Sequence, residues 1–190
     1  MPVVRKLISR FKKLKTSRKV SIALFIVFII SAQITSILCA IGIFNFSQLL
    51  SNIKVPSGYT YLNLDIYTPE DMTVEVPYEI KNPGIYDLTN IEISIALRLN
   101  YINESNHANI TSLIFSKISL IGRCKAFSKL TDYFNGTFAD FIIPPLIDFF
   151  DNAEEFEMVY YLMDIDFNAK YFYGLIKFHF AEYNLNLFEI

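Results

Sequence analysis

From Val20 to Phe44 the chain runs 25 residues without a charge, and fifteen of these are Val, Ile, Leu or Phe. As a helix this run is about 37 Å long, enough to cross a hydrocarbon core of about 30 Å with some tilt. Each of the fifteen favours insertion by roughly 0.3–0.6 kcal/mol. Ser21, Ser31, Gln33, Thr35 and Ser36 weaken that sum without reversing it: the hydroxyls can bond back to the helix backbone, and Gln33 is a tolerated polar residue or faces a partner helix. Arg5, Lys6, Arg10, Lys12, Lys13, Lys15, Arg18 and Lys19 precede the run, whereas only Lys54 lies in the first dozen residues after it. The positive-inside rule therefore places the N-terminus in the cytoplasm and the remainder outside. A cleaved signal peptide fits less well: the run exceeds the usual h-region of about 7–15 residues, and Leu38 stands where a cleavage site after Ala40 wants a small side chain. Leu38 also argues against a lipoprotein processed at Cys39.

The charge divides in the same way. Residues 1–19 carry eight Lys or Arg and no acid, while residues 20–190 carry nine cations against nineteen carboxylates. Such a split suggests two environments with a membrane between them. In the basic tail Val4, Leu7, Ile8, Phe11 and Leu14 recur at helical spacing. The tail either lies on the anionic inner leaflet as an amphipathic helix or only sets topology. A short arm tethered beside lipid argues against nucleic acid. Cys39 lies in the apolar run and Cys124 far beyond it, which excludes a disulfide framework within the outer part. An apolar core must hold that part together, and about 130 residues can supply one.

After a linker at 45–58 the hydrophobic period becomes two. Leu62, Leu64 and Ile66 alternate with polar neighbours, then Val74, Val76, Tyr78 and Ile80, then Ile91, Ile93, Ile95, Leu97, Leu99 and Tyr101. Strands with one buried and one wet face give this pattern; a helix does not. Further strands are expected near 114–121, 134–142, 158–167 and 171–180, with a last short one around Leu185 and Leu187. Turn signals stand at Asn82-Pro83-Gly84, 103–109 and Asn135-Gly136. Pro144 to Asn152 is expected to start a short helix. About seven short strands predict an all-β sandwich of immunoglobulin or fibronectin III type behind one transmembrane helix. The expected organisation is a basic tail at 1–19, a span at 20–44, the linker at 45–58 and an extracytoplasmic sandwich at 59–190. In the Asn-Pro-Gly turn, Asn82 can close an Asx turn, Pro83 fixes φ and Gly84 accepts positive φ.

The stretch Val76-Pro77-Tyr78-Glu79-Ile80-Lys81-Asn82-Pro83-Gly84, followed by the long strand from Ile91, resembles the late embryogenesis abundant type 2 (LEA-2, or WHy) domain. So does the closing Ile165-Asp166-Phe167 with Tyr173-Gly174-Leu175-Ile176. The resemblance covers about residues 57–190. It implies an immunoglobulin-like sandwich behind a membrane helix, with a stress-related, lipid-facing or interaction role in place of catalysis. The Asn-rich loop at 103–109 and the Pro-Pro insert depart from the family pattern and put a shared ligand in doubt.

Neither His107, in a polar loop, nor His179, on a wet strand face, has a neighbour suggesting a nucleophile pair, so no catalytic, cofactor or metal residues are expected. Asp164 and Asp166 share a strand face near an acidic loop. Oxygen ligands of that kind bind calcium, but the spacing fits no calcium loop, and a solvated acidic face is the simpler reading. Asn103, Asn109 and Asn135 begin N-x-S/T triplets in the outer part and are expected glycosylation sites; Asn45 lies too close to the membrane. The expectation is a non-catalytic, single-pass membrane protein, a signal-anchor glycoprotein without cofactor. Its partners are the lipid bilayer and an unidentified protein, envelope component or lipid. The alternatives are a pilin-like filament subunit and a lipid-binding or lipid-transfer domain.

Overall fold

The computed structural model describes residues 16–103, 108–152 and 156–187. The chain divides into two compact units, Met1–Phe44 and Asn45–Ile190. Helix α1 spans Thr16–Leu50 and so begins in the first unit and ends in the second. From Arg18 it is long and apolar enough to cross a membrane, and the protein buries none of its apolar window. Leu24, Phe25, Val27, Phe28 and Ile43 stand exposed. The polar interruptions turn inward on the backbone. Ser31 Oγ donates to the Val27 carbonyl at 2.8 Å, Thr35 Oγ1 to Ser31 at 2.9 Å and Ser36 Oγ to Ala32 at 2.9 Å. Each hydroxyl thereby loses its need for water.

The second unit is an all-β sandwich of two four-stranded antiparallel sheets. Its strands are β1 (Ile53–Lys54), β2 (Tyr61–Asn63), β3 (Thr73–Asn82), β4 (Leu88–Asn103), β5 (Asn109–Cys124), β6 (Ser128–Thr137), β7 (Phe156–Tyr171) and β8 (Ile176–Asn186). In the first sheet β3 pairs with β6 on one side and with both β1 and β2 on the other. The second sheet has the order β5-β4-β7-β8. A short helix α2 (Ile143–Asp151) follows β6, opened by Pro144 within its first turn. It buries Leu146 and Phe149, and the Phe149 ring lies 5.4 Å from Tyr101.

The period-two runs become the facing walls. Val74, Val76, Tyr78 and Ile80 of β3 meet Ile91, Ile93, Ile95, Leu97 and Leu99 of β4 and Met163, Ile165 and Phe167 of β7, all buried. Bulges break the alternation where it would misplace side chains. In β5, Leu97 pairs with Phe115 and Arg98 with Leu113, so Ile114 is the extra residue and both Ile114 and Phe115 turn inward. At Asn90, φ is +49°, a value Asn tolerates better than most residues, and the register slips between Thr89 and Ile91.

Several expectations are corrected. The stretch 45–58 is not only a linker. Residues 45–50 close α1, Leu49 is buried in the core, and β1 adds a strand that two residues are too few to announce. Residues 171–180 are not one strand: Phe172, Tyr173 and Gly174 all have positive φ and form the turn between β7 and β8. The strand expected at 134–142 begins earlier, at Ser128, and gives way at Phe138–Asp140 to a 3-10 turn. Asp140 closes that turn, accepting from the Thr137 N–H at 2.9 Å and from Lys117 Nζ at 2.8 Å. Asn135-Gly136 is no turn either. Gly136 sits within β6 because a Cβ there would collide with the Phe115 ring and with Val74.

Asn82 is the only fully buried polar side chain among the described residues. Its Oδ1 accepts the Gly84 N–H at 3.1 Å, completing the expected Asx turn. Its Nδ2 donates to the carbonyls of Tyr86 at 2.8 Å and of Cys124 and Lys125 at 3.2 Å. The β3–β4 and β5–β6 crossovers are thus tied by one carboxamide. The role expected of Gly84 is corrected: its φ is not positive, and what demands glycine is the Tyr171 hydroxyl, which a Cβ would strike. Asn82→Ala leaves three carbonyls short of a donor, that of Cys124 buried and those of Tyr86 and Lys125 partly so, at about 1–3 kcal/mol for such losses. We predict a melting temperature lower by roughly 5–10 °C by circular dichroism in detergent, with unchanged secondary structure below the transition.

Candidate functional site

Every second residue of β4, β7 and β8 points away from the core, and on the second sheet these side chains form neighbouring polar clusters. Arg98 of β4 donates from Nη2 to Asp164 Oδ1 of β7 at 2.7 Å and to Asn184 Oδ1 of β8 at 2.8 Å. The Asn184 N–H, held at φ +60° in a β8 bulge, donates to the same Asp164 oxygen at 2.9 Å. Beside this cluster, His179 Nε2 lies 2.7 Å from Asp166 Oδ1, and the Tyr183 hydroxyl donates to that oxygen at 3.4 Å. On the same face Asn168 Nδ2 donates to Glu92 Oε1 at 3.5 Å. Asp166 is the main reason that the Tyr183 phenol is held above its ordinary range, since ionisation would set two anions side by side.

The pair Asp164 and Asp166, expected as a shared acidic face, is therefore committed to two different partners. Among the described residues no group of three His, Cys, Asp or Glu is placed to hold a metal. Ser94 lies opposite Asp166 across the β4–β7 pairing, and His179 lies on the far side of Asp166. The carboxylate thus stands between hydroxyl and imidazole, whereas nucleophilic catalysis needs the imidazole in the middle. At the margin of this face, Ile118 and Leu120 of edge strand β5 are exposed, opposite Ser94 and Glu92. An apolar strip thus lies beside the orientated polar groups of this face.

A second feature is a groove of about 350 Å³ lined by Thr60, Tyr61, Leu62, Leu64, Tyr161 and Leu187, where β2 meets β7. A third, of about 420 Å³, lies among Ile85, Tyr86, Asp87, Thr89, Arg123 and Tyr173 at the end where β3 passes to β4. There Arg123 pairs with Asp87, and Tyr86 packs edge-on against Phe172 at 4.5 Å.

The expected membrane-surface cations fall mostly outside the described residues: Arg5, Lys6, Arg10, Lys12, Lys13 and Lys15 all do, while Arg18 is exposed and Lys19 half-buried in the first turns of α1. Asn109 opens β5 and Asn135 lies on β6, both exposed. Asn103 ends β4, and His107 lies outside the described residues. Sequence reading found His179 and Asp166 separately but missed their pairing and missed Arg98. Only the register of β7 on β8 and of β4 on β7 brings them together, and the alternation of charged residues on these strands was the available signal.

No family model matches the chain, and no curated protein matches it. Among solved structures it is similar to Spo0M, a sporulation control protein from Bacillus subtilis, with a TM-score of 0.32 and 16% identity over 70% of this chain. The aligned part spans 48% of that protein, about half its length.

If Asp166 sets the Tyr183 phenol, Asp166→Asn moves its titration down toward the ordinary tyrosine range. NMR of ring-labelled tyrosine reads this directly, and Asp164→Asn, more distant in effect, moves it less.

Proposed function

We propose that this is a single-pass membrane protein, N-terminus in the cytoplasm, whose sandwich works outside the membrane as a non-catalytic interaction domain. The observation that carries the reading is α1. Its apolar side chains are exposed rather than covered by the domain. Left in water they would oppose solubility, and a bilayer is the solvent that suits them. The hydroxyls bonded back to the helix support it. The eight cations before the span support the orientation.

An interaction role is supported by the outer face of the second sheet, where the Arg98–Asp164 ion pair and the hydrogen-bonded Asp166 and His179 are held in place beside exposed Ile118 and Leu120. The partner is a protein or envelope component. The order of hydroxyl, carboxylate and imidazole on that face supports the non-catalytic reading. Exposure of Asn109 and Asn135 suits glycosylation of an exported domain, with Asn103 the third triplet. Kinship with the late embryogenesis abundant type 2 domains is part of the same proposal. It is supported by the Asx turn at Asn82 leading into a long alternating strand.

Extraction of isolated membranes at alkaline carbonate pH tests the anchor. The protein stays in the pellet and detergent releases it. Release by carbonate alone would show a peripheral association and end the reading.

A further inference from the structure

The three turns β3–β4, β5–β6 and β7–β8 all lie at one end of the sandwich, as the strand registers require. Contacts join them there: the Phe127 N–H donates to the Gly84 carbonyl at 3.2 Å, and Tyr86 packs against Phe172 and Tyr173. The chain enters the second unit at this same end. Asn45 lies beside the Tyr171 hydroxyl, and the Lys81 N–H donates to the Asn52 carbonyl at 2.9 Å.

The tips of these turns are apolar and bare. Phe127 is 73% exposed, Tyr173 88% and Leu175 77%. The backbone is strained to hold them so. Phe127 has φ +54° and Tyr173 +55°, values unfavourable for bulky residues. The Leu175 N–H donates to the Phe172 carbonyl at 3.1 Å around Tyr173-Gly174, a tight turn whose first central position usually takes Asn, Asp or Gly. Strain of this kind, kept together with aromatic exposure, points to a functional surface.

Charge is sorted along the same axis. Lys54, Lys81, Arg123, Lys125, Lys129, Lys170 and Lys177 lie in the segments that form this end, seven of the nine cations of residues 45–190. Only two of the nineteen carboxylates lie at the same level, Asp87 and Glu79, the latter opposite Lys54 and paired with Lys129. The opposite end is the reverse. Asp65, Glu70, Asp71, Asp140, Asp148 and Asp151 lie in its described connections, without a lysine or arginine.

We infer that this end of the sandwich is a membrane-docking surface, in which Phe127, Tyr173 and Leu175 enter the headgroup zone of the bilayer and the surrounding cations meet anionic lipid. The inference rests on the anchored reading above and adds an orientation to it. The tether supports lipid as the occupant: residue 45 follows directly on the apolar run that ends at Phe44. Charge complementarity supports it too, since cations ringing exposed aromatics match an anionic interface.

The test uses the full chain in vesicles of phosphatidylcholine and phosphatidylglycerol, with Cys39→Ser and the buried Cys124 kept. A fluorophore is placed in turn at Lys125→Cys, Leu175→Cys, Ile30→Cys and Asp71→Cys, and lipids brominated near the headgroup or along the chain serve as quenchers. The labels at 125 and 175 are expected to be quenched about twofold or more over Asp71→Cys, as befits groups at the interface. Adding Phe127→Ser and Tyr173→Ser is expected to bring the label at 125 down to the Asp71→Cys level. If Ile30→Cys is quenched but positions 125 and 175 behave like 71, the anchor stands and the docking surface falls. If Ile30→Cys is unquenched as well, the anchored reading falls and takes the inference with it.

Discussion

The two amide protons of Asn82 hold together the end of the sandwich on which the rest of the molecule depends. They are shared among the carbonyls of Tyr86, Cys124 and Lys125, which belong to the two crossovers between the sheets. A buried carboxamide so placed is worth more than its net hydrogen-bond energy, because losing it strands several polar groups away from water. The neighbouring constraints agree with it. Gly84 admits the Tyr171 hydroxyl, and the Asp87 carboxylate receives the Ala126 N–H at 2.7 Å and the Arg123 guanidinium. The turns at this end are therefore fixed by side chains drawn from both sheets.

That rigidity gives the sandwich a direction. Fixed turns present apolar tips and cations at the end where the chain enters, while the described connections at the other end carry carboxylates and no lysine or arginine. The outer face of the second sheet lies between these ends, and its Arg98, Asp164, Asp166 and His179 are paired side by side. On the reading proposed above, the domain orients itself on a membrane by one end and offers a face to partners.

Much of this was legible in the residues. The uncharged run reads as a helix because only a helix satisfies every backbone polar group within so long an apolar segment. The strands β3 and β4 read correctly because one face of each is buried without interruption from Val74 to Ile80 and from Ile91 to Tyr101. The Asx turn at Asn82 was visible, but its buried partners were not, since Cys124 and Lys125 are more than forty residues away. The misreadings share a cause: local signals were overruled by contacts distant in sequence. Asn135-Gly136 resembles a turn, yet its glycine makes room for Phe115. Phe172-Tyr173-Gly174-Leu175 resembles a strand, yet it is a turn held by the packing of Tyr86 against its rings. In β5 the adjacent Ile114 and Phe115 conceal a bulge, and the strand is longer at both ends than its apolar stretch suggests. The network of Arg98 with Asp164 and of His179 with Asp166 depends on strand register, which one sequence does not state.

The claim that joins these observations is that the sandwich stands outside a membrane it is anchored in. Protease added to intact cells, with antibodies to each end of the chain, tests it most directly. The account predicts that the C-terminal domain is degraded or shortened while the lysine-rich N-terminal segment stays intact until the cells are opened. A protected C-terminal domain beside a digested N-terminal segment would contradict it.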